Sequence, residues 1–318
     1  MSTDSFVRAP SIQEDGSVHI DNALVSTSVG SVQRQRVEVY SGETLPVDIN
    51  ATGESLPVMP VELAIAKTGL LDGKTARNVY VLGRRTTFNG TTPFQDIATY
   101  LTTQNALNSV SAATEYFIVS TNAADSAAGA GVHKVRIVSL NAAGVQQVTE
   151  ATLTGTTKVS IGSGYSAFQW METSALGSGG GSAAVGDIAI FSGAGASATV
   201  ATTVEQILAT GNRSLSGRYT VPTGYKAYMV AWNGSSPGSQ TMDIRLRADC
   251  FADDRTRSAG IFHFQASAAL PAASAPFNES LNYLQLPAGT MIKASAYPGG
   301  TNGTPRCDVN ITLLLVAD

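Results

Sequence analysis

Charge is scarce in this sequence. Only 14% of its 318 residues are Asp, Glu, Lys or Arg, where about a quarter is usual for a globular chain. Their places are taken by Ser, Thr, Ala, Asn and Gln, side chains that can be buried against a neighbour at lower desolvation cost than Lys or Glu. With a net charge of -4 and no dense Lys/Arg run, the chain has no basic field to attract phosphates, so nucleic acid is not an expected partner. Long apolar runs are also missing. The longest, such as "ITLLLVA" from Ile311 to Ala317, fall far short of the roughly 20 residues of a membrane helix, so no membrane partner is expected. The opening "MSTDSFVRAPSIQEDG" has no basic segment leading into an apolar one, and predicts a protein made and assembled in the cytoplasm.

Cysteine and histidine are nearly absent. Cys250 and Cys307 have no CxxC or Cys/His neighbour that would suggest metal, and cytoplasmic synthesis favours free buried thiols over a bridge. The three histidines, His19, His133 and His263, are not at ligand spacing, and no G-x-S-x-G elbow accompanies them. "GLLDGKT" (Gly69 to Thr75) has three residues between its glycines where a P-loop has four, and reads as a turn. "ADDRTR" (Ala252 to Arg257) lacks the alternating oxygen ligands of a calcium loop and reads as a hairpin tip. A pair of carboxylates for glycoside cleavage would have to come from Asp96, Glu115, Glu150, Asp187, Asp243 and Glu279, among which nothing in the sequence chooses. No catalytic, cofactor-binding or metal-binding residue is predicted, and the protein reads as a non-enzyme.

What the sequence does contain is strands. Short β-branched or aromatic runs such as "EYFIVST", "HKVRIVSL", "VQQVTEATL", "AFQWMET" and "VGDIAIF" arrive every 8 to 14 residues between Gly, Asn, Ser or Thr corners, the rhythm of antiparallel sheets. "NAAG" (Asn141 to Gly144) reads as one such corner, and Val145 and Val148 after it break strict alternation, which predicts a bulge or a sheet covered on both sides. After residue 200 the pattern repeats, with "VPTGY" and "LPAGT" as tight turns. In the closing "CDVNITLLLVAD", Val309, Ile311, Leu313 and Leu315 share one face, and so apolar a strand should be central.

Two helices are predicted. "PVELAIAKTG" (Pro60 to Gly69) carries Pro at the start, Lys in the last turn and Gly as the stop. In "TPFQDIATYLTTQNAL" (Thr92 to Leu107), Phe94, Ile97 and Leu101 recur at helical intervals behind a Thr-Pro cap. "VEQILA" (Val204 to Ala209) reads as a further helical turn or as a link between sheets, and the Gly-rich "SALGSGGGSAA" (Ser174 to Ala184) as a flexible loop. The expected fold is mainly β: an extended N-terminal arm over 1–40, a β-rich domain with short helices over 41–200, and a second over 201–318. Both domains are expected to be antiparallel sandwiches or jelly rolls.

The succession "ELAIAKTGLLDGKTARNVYVLGRR" (Glu62 to Arg85), "VRIVSLNAAGVQQVTEATLTGTT" (Val135 to Thr157), "VGDIAIF", "GRYTVPTGYKAYMVAW" (Gly217 to Trp232) and "VNITLLLVAD" resembles a family of virion structural proteins of tailed bacteriophages found in aquatic bacteria. The resemblance implies a structural β protein of the particle, present in many copies and without a catalytic motif. A capsid decoration or cement protein is the first expectation, binding the major capsid protein or other virion proteins, with a homotrimer as the expected assembly by analogy. The alternative is a tail or fibre module that recognises a cell-surface glycan, whose signature would be aromatics such as Tyr219, Tyr225, Tyr228 and Trp232 gathered at loop tips.

Overall fold

A computed structural model of the chain describes residues 19–27, 30–38, 69–71, 74–88, 94–249, 262–272, 277–299 and 305–318. Among them there are strands and turns but no helix, and every strand pairing is antiparallel. The chain divides into two compact units, Met1–Val58 and Met59–Asp318. The predicted helix at Pro60 to Gly69, apart from Gly69 itself, the "ADDRTR" tip and Cys250 lie outside the described residues.

In the first unit, β1 (His19–Thr27) and β2 (Gly30–Glu38) form one hairpin, in register from His19↔Glu38 to Thr27↔Gly30. The stretch expected to be an extended arm therefore pairs with itself over these residues. Thr27 and Gly30 close the pairing across two residues, and the β-branched and polar runs on either side supply matched strand lengths.

The second unit contains two two-layer modules. In the first, β3 (Leu70–Leu71) and β4 (Lys74–Arg85) join β14 (Tyr225–Ser235), β17 (Phe277–Leu286) and β19 (Cys307–Ala317) in the order β17-β14-β19-β4-β3. Opposite lies a sheet ordered β13-β18-β15-β16, made of β13 (Arg218–Thr220), β15 (Met242–Ala248), β16 (His263–Leu270) and β18 (Met291–Pro298). The two-residue β5 (Gln95–Asp96) attaches to β18. One apolar cluster fills the space between the sheets, with Val79 and Val81 of β4, Trp232 of β14, Ile244 and Leu246 of β15, and Ile311, Leu313 and Leu315 of β19. Strand β19 is central, bonded to β14 on one side and β4 on the other. Its period-two pattern is the one visible in the sequence, and the face carrying Val309, Ile311, Leu313 and Leu315 is the buried one.

The other module is inserted between β4 and β13. Strands β6 (Tyr116–Ser120), β9 (Val159–Gly162), β11 (Ile188–Ser192) and β12 (Thr203–Ile207) form a sheet ordered β12-β11-β6-β9, and β7 (Val132–Asn141), β8 (Gln146–Thr152) and β10 (Tyr165–Leu176) form one ordered β10-β7-β8. Ile118, Val135, Ile137, Phe168, Met171, Ile188 and Ile190 share its core. Strands β4 and β5 fall within the stretch 41–200 in chain order, yet they hydrogen-bond into the sheets made by later strands. The inserted module thus sits within the other in sequence, not ahead of it.

Several local expectations change. Residues 94–107 are not helical: Gln95, Asp96, Ile97 and Ala98 are all buried in succession, a burial that one face of a helix cannot provide. The segment instead adds β5 to β18 and crosses to the inserted module, with Asp96 N–H donating to the Asn105 carbonyl. "VEQILA" lies mostly within β12, not in a helical turn. The Gly-rich stretch after β10 is tightly built: Gly177, Ser178 and Gly179 donate to the carbonyls of Gly131, Ala127 and Gly129. A Cβ on Gly181 would lie 1.5 Å from the Ala130 carbonyl oxygen, so glycine here permits close backbone approach, not flexibility. The pairing of β7 with β8 is regular, so no bulge accounts for Val145 and Val148; both are exposed.

Candidate functional site

Of the six acids from which a catalytic pair would have to come, five are engaged in structural contacts. Glu115 accepts from Ser160, Glu150 from Lys134 and Ser174, and Glu279 from the Trp232 indole; Asp187 caps the Ala209 N–H, and Asp243 is exposed on β15. The Lys134 and Ser174 hydrogen bonds lower the Glu150 pKa. Asp96 is the one acid of the six drawn into a buried cluster. Its carboxylate accepts from Arg247 at 2.8 Å, from Lys293 at 2.9 Å and from the Leu107 N–H at 3.1 Å. Arg85, 1% exposed, donates to the carbonyls of Thr87, Asp96 and Gln104 and to the Gln95 amide oxygen. Burial lowers its pKa to about 10, partly offset by Asp96. This network pins residues 94–107 across β18; it binds the chain to itself.

A second buried network forms where the chain enters and leaves the inserted module. Arg218 of β13 donates to Glu205 of β12 at 3.2 Å, to the Val204 carbonyl, and to the carbonyl of Asn108 on the entering segment. Ser216 donates to the same Glu205 oxygen at 2.7 Å. Glu205 is fully buried, and desolvation raises its pKa against the opposing pull of Arg218. Tyr100, on the entering segment, is buried beside this pair, and desolvation pushes its hydroxyl to about 12. Sequence reading missed Arg85, Glu205 and Arg218. The available signal was an isolated charge within an otherwise apolar strand, as in "SGRYTV", which in a chain this poor in charge points to a buried pair.

The seam between the modules continues along the departing residues 212–220. Thr173 N–H donates to Asn212 O and Ser214 N–H to Met171 O, so the segment first follows β10; Gly217 N–H then donates to Leu82 O, and Arg84 N–H to Leu215 O, on β4. Gln169 both donates to and accepts from the Thr220 backbone. The "NAAG" corner closes the far end. Thr223 donates through its N–H to Gly144 O and through its hydroxyl to Ala143 O, each at 2.9 Å. The two turn motifs read separately from the sequence therefore meet each other.

An open groove of about 250 Å³ lies beside the seam, lined by Asn233, Ser235, Asn310 and the ion pair of Arg84 with Asp308. Among the described residues no aromatic ring lines it. Tyr219 and Trp232 are fully buried in strands, and Tyr225 and Tyr228 are half-buried on β14, so these four rings do not gather at loop tips. His133 is half-buried on β7, where its backbone carbonyl accepts from the Leu153 N–H. Among the described residues no group of three His, Cys, Asp or Glu side chains is placed to hold a metal, and no helix is long and apolar enough to cross a membrane. Cys307 is a free buried thiol whose pKa is pushed far up by burial.

No family model matches the chain, and no curated protein matches it. Among solved structures, it is similar to the infectious bursal disease virus structure of the Gx strain at 10% identity, covering 76% of this chain and 71% of that one with a TM-score of 0.23. It is also similar to the tandem CBM22-1-CBM22-2 domain of Paenibacillus barcinonensis Xyn10C, at 11% identity over 77% of this chain and 93% of that one with a TM-score of 0.19. Likenesses of this strength carry no argument.

Proposed function

We propose that this protein is a non-enzymatic structural component of a tailed-phage virion, a decoration or cement protein that binds the assembled shell through its β modules. The observation that carries the reading is the strand order β17-β14-β19-β4 facing β13-β18-β15-β16. Numbering the strands β4 and then β13 to β19 as one to eight, the sheets read 6-3-8-1 and 2-7-4-5, the order of an eight-stranded jelly roll. That architecture serves viral shells and lectins alike. A fold does not assign a function, so the choice between them rests on the surface and its sites. Low charge, a buried ionic network used for internal bracing, and an insert with its own apolar core fit a durable building block. In this reading the hairpin of residues 19–38 and the module faces contact neighbouring copies, as a homotrimer, and the major capsid protein of the particle.

Quantifying the protein in purified virions tests this. Hundreds of copies per particle, with particles lacking the protein losing integrity under heat or osmotic shock, is the expected result. A dozen or fewer copies, or normal particle stability with lost adsorption, overturns the decoration role. The second of these outcomes would favour a host-recognition module, for which the polar groove at Asn233, Ser235 and Asn310 offers amides and a hydroxyl suited to sugar hydroxyls.

A further inference from the structure

The seam between the modules encloses a small cavity where residues 213–219 pass from β10 to β4. Its volume is about 10 Å³, on the order of the room one water-sized species requires. Four residues of its lining, Trp170, Arg213, Arg218 and Tyr219, each carry a buried hydrogen-bonding atom with no partner in the protein: Trp170 Nε1, Arg213 Nε, Arg218 Nε and the Tyr219 hydroxyl. Three of these can only donate, and the fourth can donate. A buried donor left unmade is destabilising, so several around one cavity call for a shared acceptor.

Strand geometry narrows the set. Arg218 and Tyr219 are consecutive on β13, so their side chains leave opposite faces. Arg218 is turned to Glu205, and the ionisable neighbours of the Tyr219 hydroxyl are Arg77 and Tyr225, not Arg213. The Arg213 guanidinium lies over the Trp170 ring, 5.1 Å from its centroid, and is fixed by donating to the Tyr80 carbonyl of β4. Trp170 comes from the inserted module, and Arg213 from the segment that joins it to β13.

We propose that this cavity is a binding site for a single-atom hydrogen-bond acceptor, a water or a chloride ion, held by Trp170 Nε1 and Arg213 Nε, that locks the two modules together. The two ligands bring donors and one positive charge, which suits either species. The site stands independently of the virion reading, because it follows from the seam alone.

The test replaces Trp170 with β-(3-benzothienyl)alanine, which keeps the ring shape and deletes the N–H, and measures the thermal midpoint beside the unaltered full-length chain. A bound acceptor loses a ligand, so the midpoint falls; a donor that had no partner is relieved, so an unchanged or raised midpoint overturns the proposal. Crystals of the full chain grown in sodium bromide identify the species. An anomalous peak in the cavity shows a halide and ordinary oxygen density shows water, both in support, while no density there overturns the site. If the species is a halide, the midpoint of the unaltered protein is higher in sodium chloride than in sodium gluconate, and the substituted chain loses that difference.

Discussion

Substituting Asp96 by Asn probes how residues 94–107 are held. In the native chain the carboxylate, 2% exposed, accepts from Arg247, Lys293 and the Leu107 N–H. The amide has one accepting oxygen, so at least one of the two cations faces a group that cannot accept, and the charge that balances both is gone. Breaking one side of a fully buried ion pair costs about 3–5 kcal/mol. Arg247 and Lys293 retain 25% and 13% exposure and can turn partly to water, which brings our expectation to about 2–3 kcal/mol. Urea denaturation is the assay, with an unchanged slope showing that the denatured state is unaltered. Because β5 attaches to β18 through only two residues, limited proteolysis should also cut within 94–107 faster. Asp243→Asn, on an exposed position of β15, is the control and should stay within about 0.5 kcal/mol. A loss of less than about 0.5 kcal/mol for Asp96→Asn, with proteolysis unchanged, refutes the bracing role.

Gly144→Ala imposes a side chain where φ is +75° and where a Cβ would lie 2.6 Å from the Thr223 hydroxyl; a loss of about 1–3 kcal/mol is expected in denaturant melts. Gly181→Ala has no space against the Ala130 carbonyl, and circular dichroism melting should show a clearly lowered midpoint with faster amide exchange at 177–181. Gln169→Leu leaves the Thr220 N–H and C=O without their partners, and should cost about 1–3 kcal/mol with lost exchange protection at Thr220. With Cys250→Ser removing the other thiol, Cys307 should resist Ellman's reagent at pH 8 until the protein is unfolded, because burial keeps its thiol protonated and inaccessible; prompt reaction in the native state would contradict that burial.

The part of this protein legible in its sequence is the part governed by local period and local stereochemistry. Alternation marked the buried face of β19 and its central place, and Asn, Pro and Gly marked the corners at Asn141–Gly144 and Pro222–Gly224. The same local signal misled at Phe94, Ile97 and Leu101, whose helical spacing arises in a segment buried on several sides and held by Arg85 and Asp96. Glycines at 177, 179 and 181 read as slack because a sequence does not show the second backbone lying against them. Above all, only the tertiary structure decided that β4 pairs with β19 more than 200 residues later and that a whole module lies between β4 and β13. Strand propensity states that a segment will pair, and burial pattern states which face turns inward. The choice of partner is a long-range closure, made by the shared core and by buried charges such as Glu205 and Arg218 that acquire meaning only when both crossings meet.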